Sequence, residues 1–307
     1  MTTTTQTQDH LLNAATGMDA VTLRVGDLEG MSAYYEQALA LVPVTEQVRG
    51  REVHRTLGRA GAPLLRLVHT PELPPVDPRQ PGLYHTAFLF PHASALAATV
   101  YRAAQHPSSR FTGSADHLVS EAFYFTDPEG NGIELYVDRP RSAWDIAADG
   151  QVRMDTLRLD PNAYLQRHLT EDAVAAVEAQ PGQIGHVHLQ VGDLDLARDF
   201  YVGAIGFDVT LSGYPGALFA SAGGYHHHIG MNTWHSSGAG PRAATLGLGE
   251  VAVTVPTRED LDALAARLRA RDLQFADDGR AITVQDPWDT RVTVALPEAH
   301  GTEPPAS

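Results

Sequence analysis

The chain has 307 residues, 43% hydrophobic and 19% charged, which is long enough for two domains and too apolar for a disordered chain. A formal net charge of −15 argues against nucleic acid or an anionic membrane as partner. The absence of cysteine excludes disulfides, thiolate metal sites and a cysteine nucleophile.

Taken in order, residues 1–17 read as a loose polar tail, and its opening, MTTTTQTQDH, lacks the apolar stretch of a secretory signal. No apolar run approaches membrane-spanning length, so a cytoplasmic protein is expected. From Met18 a strand-like VTLRV passes through Gly26-Asp27-Leu28 into a predicted helix over Glu29 to Leu39. Next comes Tyr84-His85-Thr86-Ala87-Phe88, a predicted helix from Ser94 to Ala104, and a hairpin. The hairpin strands are Ala122 to Thr126 and Gly132 to Val137, joined by Asp127-Pro128-Glu129-Gly130-Asn131, which is dense in turn formers. Along its second strand Glu134 and Tyr136 share one face, and Ile133 and Leu135 the other.

Residues 139–183 read as a linker with short helices; Asp160-Pro161 supplies a capping Asp and a first-position Pro. The opening pattern then recurs, because Val187-His188-Leu189-Gln190-Val191-Gly192-Asp193-Leu194 matches Val21 to Leu28 and Tyr201 matches Tyr35. A fourth segment has a strand at Glu250 to Val255, a predicted helix from Arg258 to Arg271, and Asp286-Pro287-Trp288 echoing Asp127-Pro128-Glu129. The prediction is therefore an α+β fold of four βαβββ units. One pair covers 18–138, a second covers 184–296, and a mobile tail runs over 297–307.

Comparison of the units isolates candidate chemistry. The first strands of units two and three carry His85 and His186, where unit one has Ala20 and unit four has Glu250. The last strand of unit two carries Glu134, where unit four has Thr293. Two imidazoles and one carboxylate suit a divalent transition metal with open positions, Fe(II) first among candidates. Only a pairing of units two and three would put all three ligands in one place. The internal Tyr225-His226-His227-His228, which as a strand would turn His226 and His228 to one face and His227 to the other, could supply an acid/base beside the metal, and His117 and Tyr124 could reach a ligand on it.

The segments GLYHTAFLFP, DHLVSEAFYFTDPEGNGIELYVDRPRSAW, IGHVHLQVGDLDLARDFY and SAGGYHHHIGMNTW resemble the vicinal oxygen chelate superfamily. Within it they resemble the type I extradiol dioxygenases of the catechol 2,3-dioxygenase kind. The resemblance covers nearly all of 18–296 and implies Fe(II), with Mn(II) as the alternative, held by His85, Glu134 and His186. It implies His227 as acid/base, with Tyr124, ten residues before Glu134, and His117 beside the substrate. His226, His228 and Trp234 are expected to bind substrate. The implied reaction cleaves a catechol with O2 to a 2-hydroxymuconic semialdehyde, in a homo-oligomer. In the better-known extradiol enzymes the metal site lies within the C-terminal domain, whereas here the ligands fall in units two and three. Rival readings are a glyoxalase-type isomerase or lyase and a non-catalytic module that binds an aromatic compound.

Overall fold

The computed structural model describes residues 11–297. The mobile-tail expectations for 1–10 and 298–307 lie outside the described residues. Unit one comprises strand β2 (Val21–Val25), helix α1 (Leu28–Leu39) and strands β3 (Val42–Arg49), β4 (Glu52–Arg59) and β5 (Ala62–His69), preceded by the short β1 (Gly17–Met18). Unit two comprises β6 (Gly82–Leu89), α2 (Ala93–Gln105), β7 (Arg110–Asp116), β8 (Ser120–Thr126) and β9 (Gly132–Asp138). The linker holds β10 (Leu157–Arg158), α3 (Pro161–His168) and α4 (Glu171–Ala175). Unit three comprises β11 (Gln183–Gln190), α5 (Leu194–Ala197) continuing as a π-helical turn over Arg198–Ile205, β12 (Asp208–Leu211), β13 (Ala217–Ser221) and β14 (Ile229–Asn232). Unit four comprises β15 (Gly247–Thr254), α6 (Arg258–Ala270), β16 (Phe275–Asp277), β17 (Ala281–Gln285) and β18 (Arg291–Ala295).

The helices begin where the sequence offers caps. Asp27 accepts the Gly30 N–H at 2.9 Å to start α1. Asp160 accepts from Asn162 and Ala163 to start α3, with Pro161 at its first position. Thr257 and Asp260 form a reciprocal capping box on α6. Among the described residues, no helix is long and apolar enough to cross a membrane.

The units assemble out of chain order. One sheet runs β16-β17-β18-β15-β2-β5-β4-β3 and joins units one and four. The other runs β10-β7-β8-β9-β6-β11-β14-β13-β12 and joins units two and three across the linker. In this second sheet β6 and β11 are antiparallel, with His188 opposite His85 and His186 opposite Ala87. Strand β9 lies parallel to β6 on its other side, and Glu134 is registered against Ala87. The three strands thus bring His85, His186 and Glu134 to adjacent positions. Ile133 and Leu135 point the other way, into the main apolar core.

The loose tail expected over 1–17 is corrected for 11–17. Leu12 is buried and its N–H donates to Gly206 O at 2.7 Å, and Gly17 and Met18 pair with Thr254 and Val253. A short apolar anchor and main-chain pairing hold a stretch that composition alone marks as polar.

Candidate active site

A cavity of about 540 Å³ opens in the sheet of units two and three. At its inner end Glu134 Oε2 lies 2.8 Å from His85 Nε2 and 3.1 Å from His186 Nε2. All three side chains are buried, and their candidate ligand atoms lie within 4.8 Å of one another. For two ligands at right angles on bonds of about 2.1 Å, the ligand–ligand separation is about 3.0 Å. The two edges to Glu134 match that figure, so the donor set fits a divalent metal.

Electrostatics agree. Burial alone would raise the Glu134 carboxyl, but His186 and His85 outweigh it and hold the group well below the usual range. Burial pushes His186 down to about 4, so its imidazole is neutral, as ligation requires. His186 Nδ1 is buried without a hydrogen-bond partner, so the one polar contact of the ring is Nε2 to Glu134 Oε2, the edge a metal would take over.

A second trio, His186, His226 and His227, is also close enough to share an ion. His226 spends both ring nitrogens elsewhere: Nε2 lies 2.9 Å from Asp138 Oδ1 and Nδ1 lies 2.8 Å from His227 Nδ1. The carboxylate-bearing set is therefore the better metal site, because it alone offsets cationic charge directly.

The His226 contacts determine how protons sit. Asp138 accepts the His226 Nε2–H, which leaves His226 Nδ1 as an acceptor. It accepts the His227 Nδ1–H, which leaves His227 Nε2 with a lone pair. His227 lines the cavity, packs 4.0 Å from the His186 ring, centroid to centroid, and is pushed well below the ordinary histidine range by burial. On the other side His117 donates Nδ1–H to Asp155 O at 2.7 Å, and Tyr124 O–H donates to His117 Nε2 at 2.7 Å. Burial, with the Glu134 charge second, pushes the Tyr124 hydroxyl well up, so it keeps its proton.

The structure thus gathers His85, Glu134, His117, Tyr124, His227 and Trp234 around the cavity, with His186 directly behind Glu134. Two expectations are corrected. His226 and His228 do not line the cavity: His226 is turned toward Asp138, and His228 Nδ1 accepts the Ala222 N–H at 3.1 Å. The triple histidine is also no strand. Gly223 and Gly224 both have positive φ, 61° and 65°, and the chain turns through them before β14 begins at Ile229. Simple alternation therefore does not govern which ring faces inward.

Sequence reading missed His188. It is buried, lines the cavity, and its Nε2 has no partner. A Cβ on Gly230 would sit 3.0 Å from the His188 ring, so that glycine is the notch the ring occupies. The signal was available, since His188 lies two residues beyond His186 on one strand and therefore on the same face. Met154 and Thr156, from the linker, also wall the cavity. Nothing local marked them, because long-range contacts bring them there: β10 pairs with β7, the Val152 N–H donates to Thr210 O, and Thr156 meets the Tyr214 hydroxyl.

Comparison with known proteins places this arrangement. The family profile described as Glyoxalase/Bleomycin resistance protein/Dioxygenase superfamily matches residues 17–135 and 183–294. A Bacillus subtilis (strain 168) protein named catechol-2,3-dioxygenase is 40% identical over 209 residues, 67% of this chain and 72% of that protein. In structure, a Bacillus subtilis crystal structure superposes with a TM-score of 0.63 at 14% identity, over 93% of this chain and 86% of that one. Glyoxalase I from Zea mays gives a TM-score of 0.54 at 15% identity, covering 92% of each chain. At such identities the last two describe the fold alone.

Proposed function

The chain belongs to the glyoxalase/bleomycin resistance protein/dioxygenase superfamily, and from that premise we propose that it is an Fe(II)-dependent extradiol dioxygenase. It would cleave a catechol with O2 to a 2-hydroxymuconic semialdehyde. The observation that carries this reading is the buried set of His85, His186 and Glu134 at the end of a cavity lined by aromatic side chains. A second histidine where a glyoxalase-type isomerase would typically need another carboxylate favours oxygen chemistry over isomerisation.

Held by His85, His186 and Glu134, the metal would supply Lewis-acid activation of the catechol and an electron path between substrate and O2. The protein does the rest. Tyr84 and Trp234, with ring centroids 5.3 Å apart, offer faces against which an aromatic ring stacks. His227 Nε2, left unprotonated by the Asp138–His226 chain, would take a catechol hydroxyl proton and return it to an oxygen of the ring-opened product, in which both atoms of O2 are retained. Tyr124 keeps its proton, gives it to His117 Nε2, and so presents its hydroxyl oxygen as an acceptor to a substrate hydroxyl. His188 Nε2 presents one further unpartnered nitrogen to the same space.

The test is direct. Anaerobically purified protein should hold about one Fe(II) or Mn(II) per chain and turn catechol yellow in air. His227→Asn should keep the metal and lose on the order of a hundredfold in turnover, the usual scale for a general acid/base. Stoichiometric zinc with no activity on adding Fe(II), or an unimpaired His227→Asn, would count against the reading.

A further inference from the structure

We propose that His186, His226 and His227 form a second divalent-cation site, suited to Zn(II), and that it is an alternative to the Fe(II) set because the two share His186. The proposal goes beyond the catechol reading and stands without it, since it needs no substrate.

All three rings are buried, and their candidate ligand atoms lie within 4.8 Å of one another. What marks the trio is the far side of the rings. A histidine that binds a metal through one nitrogen donates the N–H of the other to a carboxylate, a carbonyl or water, and that partner fixes the tautomer. Two of the three rings already have a carboxylate in that place. Asp138 Oδ1 accepts the His226 Nε2–H at 2.9 Å, and Tyr225 O–H holds the same carboxylate by donating to Oδ2 at 2.8 Å. Glu134 Oε2 lies 3.1 Å from His186 Nε2, and an ionised carboxylate only accepts, so His186 is the donor. Both rings therefore keep a lone pair on Nδ1. The one on His186 has no hydrogen-bond partner among the described residues, although the ring is only 1% exposed. The one on His226 faces His227 Nδ1 at 2.8 Å, a contact that an ion between the two nitrogens replaces.

Capture of an ion needs one rearrangement. His227 gives up its Nδ1 proton and carries one on Nε2 instead, so the ring stays neutral and the chain loses no proton. Three Nδ1 lone pairs then meet the ion. Two nitrogens on one ion, with bonds of about 2.1 Å, stand about 3.0–3.4 Å apart. The edge between His226 and His227, 2.8 Å now, opens by a few tenths of an ångström to reach that span. Three imidazoles with no direct carboxylate suit Zn(II) or Cu(II) and not Mg(II) or Ca(II). Asp138 and Glu134, each one ring away, supply the opposing charge. The ion would have two effects on the neighbouring set. Glu134 and His186 Nε2 stay bonded to each other, which withholds two of the three Fe(II) ligands, and His227 Nε2 no longer offers a lone pair to the cavity.

The test is zinc binding, not turnover. The full chain carrying His85→Gln, stripped with a chelator, is titrated calorimetrically with Zn(II) and with Mg(II). It should take up about one Zn(II) per chain and no Mg(II), and X-ray absorption at the zinc edge should show the outer-shell scattering of imidazole rings. Adding His226→Gln should weaken zinc binding more than about tenfold, and adding Asp138→Asn about tenfold. Circular dichroism checks that each variant is folded, and Glu134→Gln gives a second background, since its amide oxygen still accepts from His186 Nε2. Zinc uptake unchanged by His226→Gln would put the ion elsewhere and overturn the proposal. So would the lack of zinc uptake by folded protein in both backgrounds. Either result leaves the catechol reading standing, because that reading fails on Fe(II) content and turnover of the wild-type chain.

Discussion

Glu134 is the residue on which the site turns. It is the one carboxylate among the three candidate ligands, and both imidazoles converge on the same oxygen, at 2.8 and 3.1 Å. Glu134→Gln keeps the shape and removes the charge. Metal content should fall from about one per chain to well below it, and added Fe(II) should no longer raise the unfolding temperature; full metal retention by atomic absorption would exclude the assignment. His228 supports the site without entering it. Burial pushes its imidazole down to about 3, and its Nδ1 must stay unprotonated to accept the Ala222 N–H. Between that value and the unfolded pKa of about 6.5, the unfolded chain binds a proton that the folded chain refuses. Stability therefore falls as pH drops from about 6.5 toward 3, by up to about 1.4 kcal/mol per pH unit for this one group. His228→Asn, which retains an acceptor, should show a shallower decline in denaturation free energy over that window. Identical slopes for the two proteins would show that His228 is not a buried neutral group.

At the scale of elements, the recurring turn and the recurring tyrosine turn out to be two halves of one latch. Tyr35, on α1, donates to Asp127 Oδ2 in the β8–β9 turn at 2.8 Å. Tyr201, at the matching place in unit three, donates to Asp286 Oδ2 in the β17–β18 turn at 2.9 Å. Each aspartate also accepts backbone N–H groups of its own turn, Glu129 and Asn131 in one case, Trp288 and Thr290 in the other. The latch thus joins a helix of one sheet to a turn of the other, once in each half of the chain. In unit two the latched turn leads into β9 and so sets the height of Glu134. Tyr35→Phe removes one donor from a buried carboxylate and should cost about 1–3 kcal/mol in chemical denaturation, whereas a change within experimental error would show the contact to be dispensable. The periodicity of the sequence made both parts visible, but not that they touch, because partners so far apart in the chain leave no local pattern.

For the whole molecule, the decisive feature is that units pair two with three and one with four. The candidate ligand trio is consequently split between the two halves of the chain. Metal binding should depend on both halves being present. A fragment ending in the linker near residue 150 retains His85 and Glu134 but exposes the β6 edge that β11 covers. Expressed alone, it should hold Fe(II) more than tenfold more weakly, given the loss of one of three ligands. Co-expression with the remainder should restore a full metal complement, measured on the purified complex. Tight stoichiometric metal in the isolated fragment would show that His186 is not needed.

The four-unit organisation, the hairpins and the helix starts were legible in the sequence, because period, turn chemistry and caps are local properties written within a few residues of each other. The candidate ligands were legible too, but only because the chain repeats itself and His85, His186 and Glu134 stand where the sister units have other residues. Three things required the folded chain. The triple histidine turns on two glycines, so which ring faces the cavity follows from backbone conformation and not from alternation. The linker contributes Met154 and Thr156 through a strand pairing that no linker composition announces. The proton chain from Asp138 through His226 to His227 joins a strand end in unit two to a turn in unit three. The sequence by itself determined which groups were available; tertiary structure decided which share a cavity, because contact between distant segments is set by the packing of whole sheets and leaves no trace in any local window.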